Sequence, residues 1–183
     1  MNFRDLRADE IEVRVQQCKE NGVSLLLYKD ARCDMNILDE VVGPQNWQRS
    51  HEVINGNLYC NVSIYIEFPI ECQWVTKQDC GTESNTEKEK GEASDSFKRA
   101  CVNWGIGREL YTAPFIWVKA EGCNIKDTGK KDNYGKPIYK CNDKFKVEAI
   151  KIVNKKIVGL SIVNESNNLR VFTLVPPKEG DKK

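Results

Sequence analysis

Apolar and polar positions alternate without a break along residues 58–67: Leu58, Cys60, Val62, Ile64 and Ile66 against Tyr59, Asn61, Ser63, Tyr65 and Glu67. Strict alternation puts each set on its own side of a strand, so one sheet face is apolar and the other is mixed and partly aromatic. With Leu58 to Phe68 as its centre, the pattern predicts further strands at Trp47 to Ile54 and Gln73 to Asp79. Asn55-Gly56 between the first two is a dipeptide that tolerates positive φ in a tight hairpin. The period then changes. Ala93, Phe97, Ala100, Cys101 and Trp104 recur at helical spacing and form one apolar stripe. Ser84 or Thr86, each followed three residues later by a glutamate (Glu87, Glu89), offers a capping box at the start. Gly105 and Gly107 end the helix near Trp104. A half-apolar sheet needs a cover, and the helix that directly follows supplies it, which predicts a β-β-β-α unit.

Upstream, Ile11, Val15 and Cys18 share helical spacing, so Ala8 to Asn21 is predicted to be a short amphipathic helix stopped by Gly22. Val23 to Lys29 is a compact apolar run of strand length. Met35, Leu38 and Val42 then mark a helix over 31–42 that ends at Gly43-Pro44, with Arg32 at the strand-to-helix junction. Downstream, FIWVKA is strand-like, and Glu121 to Asp143, rich in Gly, Asn, Asp and Lys, is predicted as a long exposed loop. Three strands follow at 145–153, 156–163 and 169–175 as an antiparallel meander, ended by Pro176-Pro177 and a polar tail. The fold class is therefore α+β: an antiparallel β-β-β-α core, an N-terminal helix and a C-terminal β-meander. Residues 1–118 form the core and 119–183 the lysine-rich loop and β extension, together one compact unit.

A chain of 183 residues suffices for one well-filled core. No apolar run approaches the ~20 residues needed to span a bilayer, and MNFRDLRADE has acidic residues where a signal peptide needs an apolar core. A cytoplasmic protein is expected. The eight cysteines contain no CxxC pair and His51 is the single histidine, so zinc spacing is missing and the thiols are expected to stay reduced. The net charge of +1 hides an asymmetry: residues 1–118 carry −6 and residues 119–183 carry +7. Such asymmetry suits nucleic-acid contact, as it suits solubility.

Enzymatic readings find little support. Gly105-Ile106-Gly107 has Leu110 where a dinucleotide fingerprint needs its third glycine, and it closes a helix instead of opening one. There is no phosphate-binding GxxxxGK[ST] loop. His51, alone in a strand, is a surface or satisfied histidine, and Asp39-Glu40 and Glu71 lack a metal-ligand spacing, so a nuclease ranks last. No catalytic residue, metal or cofactor is expected. What remains is binding. Lys98 and Arg99 leave the helix away from its apolar stripe, either to meet a partner or, for Arg99, to pair with Asp95 four residues earlier. Arg108, Arg32 and Arg49 add positive charge around the helix and sheet. Tyr59, Tyr65 or Trp74 on the mixed face would stack bases, or fill a core, which is the favoured place for Trp74.

The segment GEASDSFKRACVNWGIGRELY, together with the helix over 31–42 leading into GPQNW, resembles the single-strand DNA annealing proteins of the Rad52/Rad22 superfamily, in particular the short phage and Gram-positive forms. The likeness spans roughly Ala8 to Tyr111. It implies a cytoplasmic, non-enzymatic protein that binds single-stranded DNA on a ring or helical homo-oligomer and anneals complementary strands without ATP in recombination or repair. A single-strand-binding protein is an implied partner. It carries strand contact over to Lys98 and Arg99, and to Arg32 with a displacement of one position. A further cation implied three residues beyond the arginine is replaced here by Val102. The alternative is a non-catalytic interaction module that docks an acidic partner.

Overall fold

The computed structural model describes residues 1–82 and 88–176, and the chain divides into two compact units, Met1–Asp5 with Asp30–Arg108, and Leu6–Lys29 with Glu109 onward. Mixed antiparallel sheets with two helices make the fold α+β.

In the first unit, β3 (Trp47–Ile54), β4 (Asn57–Glu67) and β5 (Cys72–Cys80) form an antiparallel sheet in that order. Asn55 and Gly56 take φ of 52° and 79° at the β3–β4 turn, as the hairpin dipeptide requires. The helix α2 (Lys88–Trp104) lies over β4 and β5. Its stripe meets the alternating face of β4: Phe97, Ala100 and Cys101 are fully buried, as are Cys60, Val62 and Ile64. The helix comes so close to the end of β5 that a Cβ at Gly81 would stand 2.3 Å from the Glu92 carbonyl oxygen. Only glycine fits there. At its other end Gly105, with φ 102°, turns the chain out, and the amides of Gly105 and Ile106 donate to the carbonyls of Val102 and Cys101. The proposed cap residues Ser84, Thr86 and Glu87 and the Glu89 side chain lie outside the described residues, as does the tail from Pro177. The other helix, α1 (Ala31–Val42), starts at an N-cap, the Asp30 carboxylate accepting from the Arg32 amide at 2.8 Å, and packs on α2 through its buried Ile37 and Leu38 face.

The second unit departs from expectation at its start. Residues 8–21 hold a 3-10 turn, Ala8–Glu10, and the strand β1 (Glu12–Lys19), not a helix. The reason is a β-bulge between Val15 and Gln17 in the pairing with β2 (Gly22–Tyr28). Ile11, Val13 and Val15 alternate with period two; the bulge inserts one residue, so the next inward position is Cys18. The resulting 11–15–18 spacing imitates a helix, although the β-branched residues favour a strand. The predicted loop over 121–143 is also corrected: it contains a two-stranded ribbon, β7 (Ile125–Lys131) and β8 (Pro137–Cys141). The meander is present as β9 (Phe145–Val153), β10 (Lys156–Asn164) and β11 (Leu169–Leu174). With β6 (Ile116–Lys119) these make one sheet in the order β11-β10-β9-β1-β2-β6. The sheet curls until its edges β11 and β6 come together. Gly122, just after β6, sits there: a Cβ on it would be 3.1 Å from a methyl of Val171, and its carbonyl accepts from the buried Asn164 amide at 2.9 Å. Val23, Leu25, Ile116, Val118, Leu160 and Ile162 are buried in this unit.

Candidate nucleic-acid interface

In the first unit the two sheet faces have opposite characters. The covered face projects Trp47, Arg49 and His51 from β3 and Val75, Lys77 and Asp79 from β5 toward α2, by the register of those strands against β4. The uncovered face is polar and carries two acids, Glu52 and Glu67, and no cation among the described residues: Ser63 shares a 2.8 Å hydrogen bond with Thr76, and Asn61 donates to Glu52 at 2.8 Å. Trp74 belongs to this face and not to a core. It is 44% exposed and stands against Tyr65, ring centres 5.4 Å apart.

The cations gather on the helix side. Arg99 does not pair with Asp95; its Nε donates to Asp79 on β5 at 3.2 Å while the side chain stays 42% exposed. Asp95 instead accepts from the Thr82 amide at 3.1 Å, so sequence-local pairing loses to a tertiary partner. Lys98 follows about 100° away on the helix, on the flank turned from β5, half-buried and in no ion pair among the described residues. Arg49 lies on the covered face with its guanidinium 4.7 Å from the centre of the Phe97 ring. Its charge reaches Cys60, where burial pushes the thiol up to about 11 and Arg49 pulls the other way. Arg108 folds back on the helix end: its Nε donates to the Val102 carbonyl at 2.8 Å and a terminal nitrogen to Asn103 at 3.0 Å. It thereby adds a charged donor to terminal carbonyls that already accept from the Gly105 amide and from Lys77. Arg32 stands on a separate element, in the first turn of α1, 85% exposed with Asp30 3.9 Å away.

One cation escaped the sequence reading. Lys77 donates to the Asn103 carbonyl at 2.9 Å and sits 4.6 Å over the Trp104 ring, whose Nε1 donates to the Val62 carbonyl at 3.0 Å. The signal was available: Val75, Lys77 and Asp79 alternate with the outward Trp74, Thr76 and Gln78, which places Lys77 under the helix. Lys77, Arg99 and Arg108 thus converge on the C-terminal half of α2. Of the carboxylates weighed for a nuclease, Asp39 accepts from Trp47 Nε1 at 2.6 Å and Glu40 binds Arg4 at 2.9 Å. His51 Nε2 lies 3.2 Å from the Ala93 carbonyl oxygen, a satisfied histidine. No helix among the described residues is long and apolar enough to cross a membrane.

Comparison with known proteins supplies the context for this arrangement. The chain is 36% identical over 95 residues to the single-stranded DNA-binding protein DdrA of Deinococcus radiodurans, covering 51% of this chain and 43% of that one. It is 34% identical over 96 residues to the DdrA protein of Deinococcus deserti, covering 51% and 45%. The aligned stretch is thus less than half the length of these relatives. No solved structure matches the chain significantly. Residues 4–127, which include both helices, the three-stranded sheet and all five candidate cations, match the model described as Rad52/22 family double-strand break repair protein, and the chain belongs to that family.

Proposed function

We propose that this protein binds single-stranded DNA along the α2 side of its three-stranded sheet and, as a ring or helical homo-oligomer, pairs complementary strands without ATP in recombination or repair. The family and the names of the DdrA relatives support the substrate. The observation that carries the site is the state of the basic pair: Lys98 without an ion pair among the described residues, beside an Arg99 that Asp79 steers and leaves 42% exposed. A tethered guanidinium and an untethered ammonium together form a backbone-binding strip. Arg49, Arg108 and Arg32 extend it, and Arg108 brings positive charge to the Val102 carbonyl, next to the position where the cation implied by the resemblance is missing.

The chemistry required is modest. Two strands repel through their phosphates, and lysine and arginine neutralise that repulsion by displacing condensed counterions. Repetition of the strip around an oligomer raises the effective concentration of both strands, and base pairing then selects. No group on the protein needs to make or break a bond.

An annealing assay with two complementary oligonucleotides and no ATP tests this, run beside light scattering on a sizing column. Lys98→Ala with Arg99→Ala is expected to stay folded and to lose annealing. A double variant as fast as the natural chain removes the site, and a strict monomer with no single-strand affinity at low salt removes the function and leaves docking of an acidic partner.

A further inference from the structure

We propose that the β7–β8 ribbon is a second DNA-binding arm, separate from α2, whose lysines hold the phosphates of a single strand and whose apical Tyr134 stacks an unpaired base. It rests on the single-strand reading above but on different atoms, nearly all beyond residue 127, where the family match ends.

The ribbon has an inner face that secures it and an outer face that the fold does not use. Inward, β8 packs on β1 and half-buries Tyr139 and Cys141, and burial, with the Glu20 carboxylate of the β1–β2 turn nearby, raises the Tyr139 hydroxyl above its ordinary pKa. Outward, Lys126 and Lys140 are register partners across the two strands. Like charges placed directly opposite destabilise a strand pair, a cost that a bound anion removes. Lys130, Lys131 and Lys136 add three exposed cations toward the apex, and none of the five lysines is in an ion pair among the described residues.

The nearby carboxylates are engaged elsewhere. Asp127 accepts from the Gly129 amide at 2.8 Å, and Asp132 accepts from the Tyr134 and Lys136 amides at 2.8 and 2.9 Å, so both shape turns. Asp143 takes the Asn124 amide at 2.8 Å and the Asn164 side chain at 2.8 Å. Burial raises its pKa, but these bonds outweigh burial and hold it below the ordinary value. Lysines accompanied by such aspartates form an unpaired cationic strip. At its end Tyr134 is 89% exposed, an aromatic ring that contributes no packing. Cations in a row with a free aromatic face suit a single strand, which offers phosphates and unstacked bases together. An acidic peptide would use the lysines and leave the ring idle.

The test titrates a fluorescent oligothymidylate with the full chain at several salt concentrations. Lys130→Gln, Lys131→Gln, Lys136→Gln and Lys140→Gln combined are expected to flatten the slope of log affinity against log salt by about 0.7 for each phosphate no longer neutralised. Tyr134→Ser is expected to weaken binding roughly five-fold or more with the slope unchanged. Neither variant should melt below the natural chain, since neither removes packing and Lys140→Gln relieves the repulsion with Lys126. Natural slope and affinity in both would overturn the arm while leaving the α2 site standing. Equal competition by polyglutamate of matched charge would overturn it in favour of an acidic-protein surface. Absence of oligothymidylate binding by the natural chain would overturn both proposals.

Discussion

The cations around α2 and those on the β7–β8 ribbon do opposite things for the fold. Around α2 all but Lys98 are built in: Arg99 holds Asp79, Arg108 and Lys77 hold the last carbonyls of the helix, and Arg49 covers Phe97. On the ribbon the lysines hold nothing, and two of them repel across the strands. The difference separates two routes to a polyanion site. Built-in cations are pre-oriented, so less freedom is lost when DNA arrives, but removing one also loosens the fold. Unattached lysines are adaptable, and their removal registers only in affinity and salt dependence.

The largest expected effect breaks the scaffold beneath the built-in set. Phe97→Ala empties a fully buried position that supports both Arg49 and the α2 stripe, and is expected to cost about 3–5 kcal/mol in denaturant unfolding. If that loss is under about 1 kcal/mol, α2 is not the cover of the sheet. Next comes Arg108→Ala, which removes one of two donors from each of the Val102 and Asn103 carbonyls and is expected to cost about 1 kcal/mol or less as well as affinity. A ribbon lysine changed to glutamine should cost no stability, with Lys140→Gln gaining slightly by relief of its repulsion with Lys126, and a loss comparable to that of Arg108→Ala would erase the distinction between the two sets.

How much of this was readable from the chain follows the range of the interactions. Alternation along β4 and the Phe97 to Trp104 stripe are local periodicities, each consistent with its own packing, and they placed the sheet, its hairpin at Asn55-Gly56 and the covering helix. The bulge at Val15 is a pairing event with β2, invisible in β1 alone, and it disguised a strand as a helix. The ribbon at 125–141 was hidden differently: its residues are mostly polar and charged, so no apolar alternation betrays it, and its turns rest on aspartates and glycines that also mark loops. At the site, residue types were legible and partners were not. Arg99 has an acid four residues back in sequence, yet the fold brings Asp79 to it from 20 positions away.

That choice of partner can be tested directly. Asp79→Asn keeps a hydrogen-bond acceptor beside Arg99 but removes the charge, and a partly exposed pair of this kind stabilises by only about 0.2–1 kcal/mol. Unfolding should therefore shift little. Strand binding should tighten at low salt and become more salt-dependent, because one neutralising acid has left the strip. Weaker binding in this variant would show that the tether, by fixing the direction of Arg99, matters more than the charge it cancels.

The smallest effect contrasts two charged surfaces within the second unit. Across β9, β10 and β11, Glu148 accepts from Arg170 at 2.7 and 2.9 Å and from Ser161 at 2.5 Å, so here the charges are paired as around α2. Arg170, then Ser161, hold the Glu148 carboxyl down at about 2 against an ordinary 4.5. A depressed pKa in the folded state means that the ionised form is the one the fold prefers. The contribution is complete above about pH 4.5 and disappears as pH falls toward 2. Glu148→Gln should therefore lower stability slightly at neutral pH and make no difference near pH 2, in melts compared across that window. The ribbon lysines have no such partner among the described residues, so their glutamine variants should run parallel to the natural chain over the same range. If they diverge on acidification, the lysines are paired to a carboxylate in solution and the ribbon belongs with the built-in set.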